Sequence, residues 1–168
     1  LLDEAGADPT LLDRAYEGFL RELDVGLDGL TEMAAASETF AWLHERSIQV
    51  GVGSGFPANV VERIVQRAGW RQRGLIDYAA SSAQVGASRP APDMILDAMA
   101  KLSVTDVRQV VKVGDTAMDV LEGRNAGAWT VAVLSGTQDE GQLAQHGPDA
   151  VLTDVAALPA WLRERGLA

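Results

Sequence analysis

An α/β fold, a parallel sheet with helices packed on both faces, is what the sequence predicts, and three observations predict it. Short apolar, β-branched runs alternate regularly with stretches of helical periodicity along most of the chain. Several of those runs end in glycine or Gly-Asp, as strands do where the chain turns toward a helix. The 168 residues are 47% hydrophobic and 23% charged, the balance of one globular domain with a buried core.

The elements follow in order. Over 9–24, Leu11, Leu12, Ala15, Phe19, Leu20 and Leu23 fall on one stripe at helical spacing, with Pro9 and Thr10 at the start and Gly26 at the exit. A second helix is predicted over 33–46, with Met33, Phe40, Trp42 and Leu43 apolar and Glu38, Glu45 and Arg46 exposed. Residues 48–54, IQVGVGS, read as a buried strand, and Pro57 opens a helix to about Arg67, where a missing N–H costs nothing. A strand at 75–81, a helix over 92–102 and a strong strand at 107–115 come next. A helix over 118–125 closes at Ala126-Gly127, and a strand at 130–136, a helix at 138–145, a strand at 150–154 and a helix at 155–165 complete the pattern. The GLDGL stretch at 26–30 is the one candidate hinge.

A net charge of −10 disfavours nucleic acid and anionic membranes as partners, but a bound Mg²⁺ can reverse the local field for a small phosphorylated substrate. With no cysteine, disulfides, thiolate catalysis and Cys-ligated zinc are excluded. No apolar run is long enough to span a membrane and no leader is evident, so a cytoplasmic location is expected. His44 and His146 are expected at the surface; Trp42, Trp70, Trp129 and Trp161 are expected in or near the core.

Ligands of open α/β sheets bind beyond the carboxyl ends of the strands, and three such ends carry unusual residues. Gly114-Asp115-Thr116 with Asp119 one helical turn on offers two carboxylates, hard oxygen donors suited to Mg²⁺; a helix N-cap explains Gly-Asp-Thr alone. Ser54, between Gly53 and Gly55 and ahead of a helix, can hold an anion through its hydroxyl and nearby backbone N–H groups; a capped tight turn is the plainer reading. The Gly51–Gly55 stretch also invites a nucleotide or S-adenosylmethionine reading, but Phe56 stands where the dinucleotide fingerprint needs glycine. Arg89, in a loop stiffened by Pro90 and Pro92, can neutralise a phosphoryl group bidentately, although a loop arginine alone more often faces solvent.

Together these residues resemble the later motifs of the haloacid dehalogenase superfamily, in its phosphonatase-like form. Gly53-Ser54-Gly55-Phe56 is similar to the second motif, Arg89-Pro90-Ala91-Pro92-Asp93 to the third, and Gly114-Asp115-Thr116 with Asp119 to the fourth. The resemblance implies a Rossmann-like core and a helical cap. It also implies phosphoryl transfer through an aspartyl-phosphate, with Ser54, Gly55, Phe56 and Arg89 on the substrate, Ser54 and Arg89 catalytic, and Asp115 and Asp119 on Mg²⁺.

The sequence departs from the family at the first motif. No apolar strand ending in a nucleophilic Asp precedes Ser54; Asp3-Glu4-Ala5-Gly6-Ala7 has a passing likeness, with only two apolar residues ahead of it. Residues 1–28 therefore read as the end of a helical cap and 29–168 as a core lacking its first, central strand. The natural chain is expected to be longer by about 50–70 residues. The chain as given is expected to be inactive, its intact form a Mg²⁺-dependent phosphohydrolase; the alternatives are a non-catalytic binding module or a nucleotide or S-adenosylmethionine binder. Generic phosphate-ester hydrolysis is favoured over phosphonoacetaldehyde cleavage, because the Schiff-base lysine that the latter needs is absent from residues 1–30.

Overall fold

The structure, a computed structural model, describes residues 9–168, and the Asp3–Ala7 likeness lies outside them. The chain divides into two compact units, Leu1–Thr31 and Glu32–Ala168. In the first, helix α1 runs Pro9–Asp28, past the expected exit at Gly26, which lies within the helix.

The second unit carries α2 (Ala36–His44), β1 (Gly51–Ser54), α3 (Ala58–Ala68), β2 (Tyr78–Ser81) and the one-turn helix α4 (Ser82–Val85). It continues through α5 (Asp93–Lys101), β3 (Val111–Gly114), α6 (Ala117–Ala126), β4 (Trp129–Val133), α7 (Glu140–Ala144), β5 (Ala150–Leu152) and α8 (Leu158–Glu164). All the expected elements are present, most of them shorter. Helix α2 starts three residues late, so Met33 lies outside it and is 56% exposed. β1 begins at Gly51 because the Val50 N–H is taken by the Asp77 carboxylate at 2.7 Å. Pro57 is the N-cap of α3 rather than its first residue. The predicted strand at 107–115 opens instead as a 3₁₀ turn, Val107–Gln109, capped by Asp106. The turn α4 was not foreseen; Ser81 and Gln84 form the capping box that holds it.

Strand pairing is parallel throughout: β1 with β2, and β3 with β4 with β5. The described strands thus form two half-sheets, of two and three strands, and β1 and β3 each have one edge without a partner among them.

Helices cover both faces, and the alternation of side chains along each strand decides which face each residue meets. Val52, Val111, Val113, Val131, Ala150 and Leu152 point to one core, filled by Leu43 of α2, Val61 and Val65 of α3 and Leu158, Trp161 and Leu162 of α8. Ala132 and Val151 point the other way, to Val120 of α6 and Leu143 of α7. One core therefore spans both half-sheets. Trp42, Trp70 and Trp129 pack against it, as expected of the tryptophans. His44 departs from its expected surface place: it is about a quarter exposed, with Nε2 3.1 Å from Asp77 Oδ2. His146 is half-buried as well.

Helix α6 lies unusually close to the sheet. A Cβ on Gly123 would overlap the Thr130 methyl and the Lys112 stem, so glycine sets the spacing between helix and strands. The helix then ends on Gly127, at φ 80°, in the left-handed conformation that suits glycine. Gly123→Val is expected to destabilise the fold by at least about 1–3 kcal/mol through overpacking. Gly18→Ala, where a Cβ meets nothing within 4 Å, should be neutral or stabilising by up to about 1 kcal/mol. Chemical denaturation of the two variants checks both signs.

Candidate active site

The carboxyl end of β1 passes into the turn Ser54-Gly55-Phe56. The turn is held twice: the Phe56 N–H donates to Ser54 Oγ at 3.2 Å, and the fully buried Ser81, at the end of β2, donates its hydroxyl to the Phe56 carbonyl at 2.5 Å. Phe56 itself is 42% exposed.

Arg89 reaches this turn from the α4–α5 loop. A Cβ on Gly55 would stand 3.1 Å from Arg89 Nη2, so the missing side chain is the space into which the guanidinium fits. The other arm, Nη1, bonds Asp119 Oδ1 at 2.7 Å. The loop is pinned to the same helix a second time, where Asn125 Nδ2 donates to the Pro90 carbonyl at 2.8 Å. Arg89 is therefore not a solvent-facing loop arginine. It is forked between the Ser54 turn and α6.

Asp119 is 5% exposed, and both of its oxygens are engaged. Oδ1 takes Arg89 and also lies 3.1 Å from Lys112 Nζ. Oδ2 accepts from the Thr116 hydroxyl at 2.6 Å and the Thr116 N–H at 3.2 Å, a reciprocal cap in which the Asp119 N–H turns back toward Thr116 Oγ1 at 3.4 Å. Gly114 makes room for this carboxylate, since a Cβ there would overlap it. Burial works to raise the Asp119 pKa; the charge of Lys112, the Thr116 hydroxyl and Arg89 together outweigh it and hold the carboxyl below its ordinary value.

Asp115 occupies a different environment. It follows the last residue of β3, is half-buried, and lies against Gly136, where a Cβ would run into its carboxylate. No hydrogen bond or ion pair from another described residue reaches that carboxylate. The geometry thus divides the two acids, with Asp119 saturated and Asp115 open. Among the described residues no cluster of three acidic or histidine side chains surrounds a common point.

Sequence reasoning passed over Lys112 and Glu122. Lys112 points from β3 toward α6 and joins Asp119 to Glu122, with Nζ 2.8 Å from Glu122 Oε2; Glu122 has no exposed surface. The Glu122 oxygens accept no well-aligned hydrogen bond, so the nearby ammonium charge is what compensates them. A lone lysine within the apolar run Val110–Val113 was the available signal, since a buried lysine requires a buried acid.

Residues 86–158 match the HAD-hydrolase-like family. The chain is 35% identical over 159 residues to a phosphonoacetaldehyde hydrolase of Parabacteroides distasonis, covering 94% of this chain and 60% of that protein. It is 41% identical over 121 residues to the phosphonoacetaldehyde hydrolase of Bordetella pertussis, covering 71% and 43% of the two chains. It thus spans about half the length of these relatives. A solved HAD family hydrolase from Deinococcus radiodurans, with bound phosphate and sodium, superposes with a TM-score of 0.77 at 25% identity, over 95% of this chain and 69% of that one.

Because the Asp119 carboxyl is depressed in the fold, its contribution to stability is fully present above the unfolded carboxyl pKa of about 4 and is lost as pH falls through the lower folded value. Asp119→Asn is therefore expected to be less stable than the parent at neutral pH and to lose less stability between about pH 4 and pH 2. Urea denaturation across that range measures it; parallel profiles for the two proteins would contradict the assignment.

Proposed function

Since the chain belongs to the haloacid dehalogenase superfamily, on its phosphonatase-like branch, we propose that it supplies the phosphoryl- and metal-binding half of a Mg²⁺-dependent phosphohydrolase. The observation that carries this reading is the Arg89 fork, with one arm bound to Asp119 and the other against the Ser54–Gly55 turn. An anion resting on that turn would meet a guanidinium already oriented, and little ordering cost would remain.

The residues fit Mg²⁺ in part. Asp115 is a hard oxygen donor at a strand end, with its carboxylate uncommitted among the described residues; a single carboxylate suits an ion that keeps several waters and is completed by substrate oxygens. When bound there, Mg²⁺ would supply charge neutralisation for the transferring group. In this reading Ser54 and the backbone of its turn hold the phosphoryl oxygens, Arg89 faces the charge that builds on them, and Phe56 stands at the rim toward the rest of the substrate. Asp119 anchors Arg89 and caps α6, and so would not bind the metal directly.

The nucleophile is proposed to be a carboxylate at the end of a strand lying between β1 and β3. The edges of those strands that have no partner among the described residues, β1 ending at Ser54 and β3 one residue before Asp115, support that placement. Its attack on phosphorus would break the bond from phosphorus to the ester oxygen or the phosphonate carbon, which leaves and takes up a proton, and give an aspartyl-phosphate that water then hydrolyses. A phosphate ester or a phosphonate of small size is the proposed substrate. The likeness to two phosphonoacetaldehyde hydrolases supports the phosphonate, and a Schiff-base lysine would then have to come from outside residues 1–30, which contain none.

Asp115→Asn in the intact protein is expected to lower Mg²⁺-dependent phosphate release from p-nitrophenyl phosphate or phosphonoacetaldehyde on the order of 10³-fold. Turnover that needs no divalent cation, or that survives this substitution, would overturn the proposal.

A further inference from the structure

We infer that Lys112, seated on the buried Glu122, is a positioning residue for Arg89, acting through Asp119; the inference rests on the phosphoryl-binding reading above. Lys112 touches neither the Ser54 turn nor Asp115 by any described hydrogen bond or ion pair, so it is placed to act on the site only through the shared carboxylate.

Two cations share Asp119 Oδ1, Arg89 at 2.7 Å and Lys112 at 3.1 Å. Were Arg89 the only cation there, its charge would be spent on Asp119 and little would remain for an incoming anion. Lys112 takes part of that carboxylate's charge, which leaves more of the guanidinium's field on its Nη2 side, toward Gly55. Glu122 in turn holds Lys112 in place within the protein, 2.8 Å away and fully buried. The Lys112–Glu122 pair is thus an oriented dipole whose positive end faces the Arg89–Asp119 contact. It changes the potential at the phosphoryl position while adding no net charge to the molecule.

Its placement is inexpensive for function but demanding for the fold. Lys112 sits on the α6 face of β3 because strand alternation puts Val111 and Val113 on the other face, in the large core. Glu122 lies three residues beyond Asp119, on the same side of α6, so one ammonium reaches both acids. A purely structural pair at this place could be replaced by apolar side chains of similar volume without consequence for ligands. A positioning pair could not.

The test is calorimetric titration of the intact protein with inorganic phosphate in the presence of Mg²⁺, and separately with Mg²⁺ alone. The double variant Lys112→Met/Glu122→Met removes both charges and preserves volume, so neither partner is left buried and unpaired. Its Mg²⁺ affinity is expected to stay near the parent's, while phosphate Kd rises roughly tenfold, within the usual coupling between contacting residues. Should that pair fail to fold, Lys112→Gln/Glu122→Gln substitutes a neutral hydrogen-bonded pair and carries the same expectation. Arg89→Met is the reference that should abolish phosphate binding. If the double variant binds phosphate as the parent does while Arg89→Met does not, Lys112 is merely structural and the inference falls alone. If the parent binds no phosphate, or Arg89→Met binds it unchanged, the proposed function falls and takes the inference with it.

Discussion

A buried carboxylate shared by two cations is the constraint on which the rest of this structure depends. Asp119 sits 5% exposed at the start of α6, and it joins the strand below it, the loop beside it and its own helix cap. Burial alone would push such a group toward its neutral form, which could not hold Arg89. The surrounding donors keep it ionised, and the ionised form in turn fixes them. Around this point the glycines find their reason. Gly114 gives way to the carboxylate, Gly123 brings the helix within reach of Lys112, and Gly55 admits the guanidinium.

The two aspartates of one short motif end in opposite conditions. Asp119, inside the helix, has every lone-pair direction taken; Asp115, one residue beyond the strand, is left uncommitted by the described residues. Four residues of separation produce this because the turn between them, Asp115-Thr116, switches the chain from extended to helical. One side chain stays at the sheet's rim and the next turns beneath it. Division of labour between like residues is thus written into local backbone geometry.

Much of the fold was legible because period-two and period-3.6 patterns are strong signals, and every expected strand and helix of 33–165 has a counterpart. Strand lengths were overestimated where an apolar run extends past its ladder, as in the segment at 107–115, whose first part Asp106 caps into a 3₁₀ turn. In the site, Ser54, Arg89, Asp115 and Asp119 stood out as polar residues at strand ends. The separation of the two acids was not legible, since it depends on which cations reach them. Lys112 and Glu122 were invisible for a related reason: each looks like a routine charge on its own element, and their significance lies in a strand and a helix meeting face to face. Ser81, whose hydroxyl secures the Phe56 carbonyl from 25 positions away, belongs to the same class of long-range contact.

Helix α6 carries the cap, the guanidinium anchor, the lysine's second acid and, through Asn125, a tether to the Pro90 carbonyl. With so many attachments on three turns of helix, no one of them can be re-aimed without dragging the others. Evolutionary change in what such a domain accepts is then channelled away from this helix.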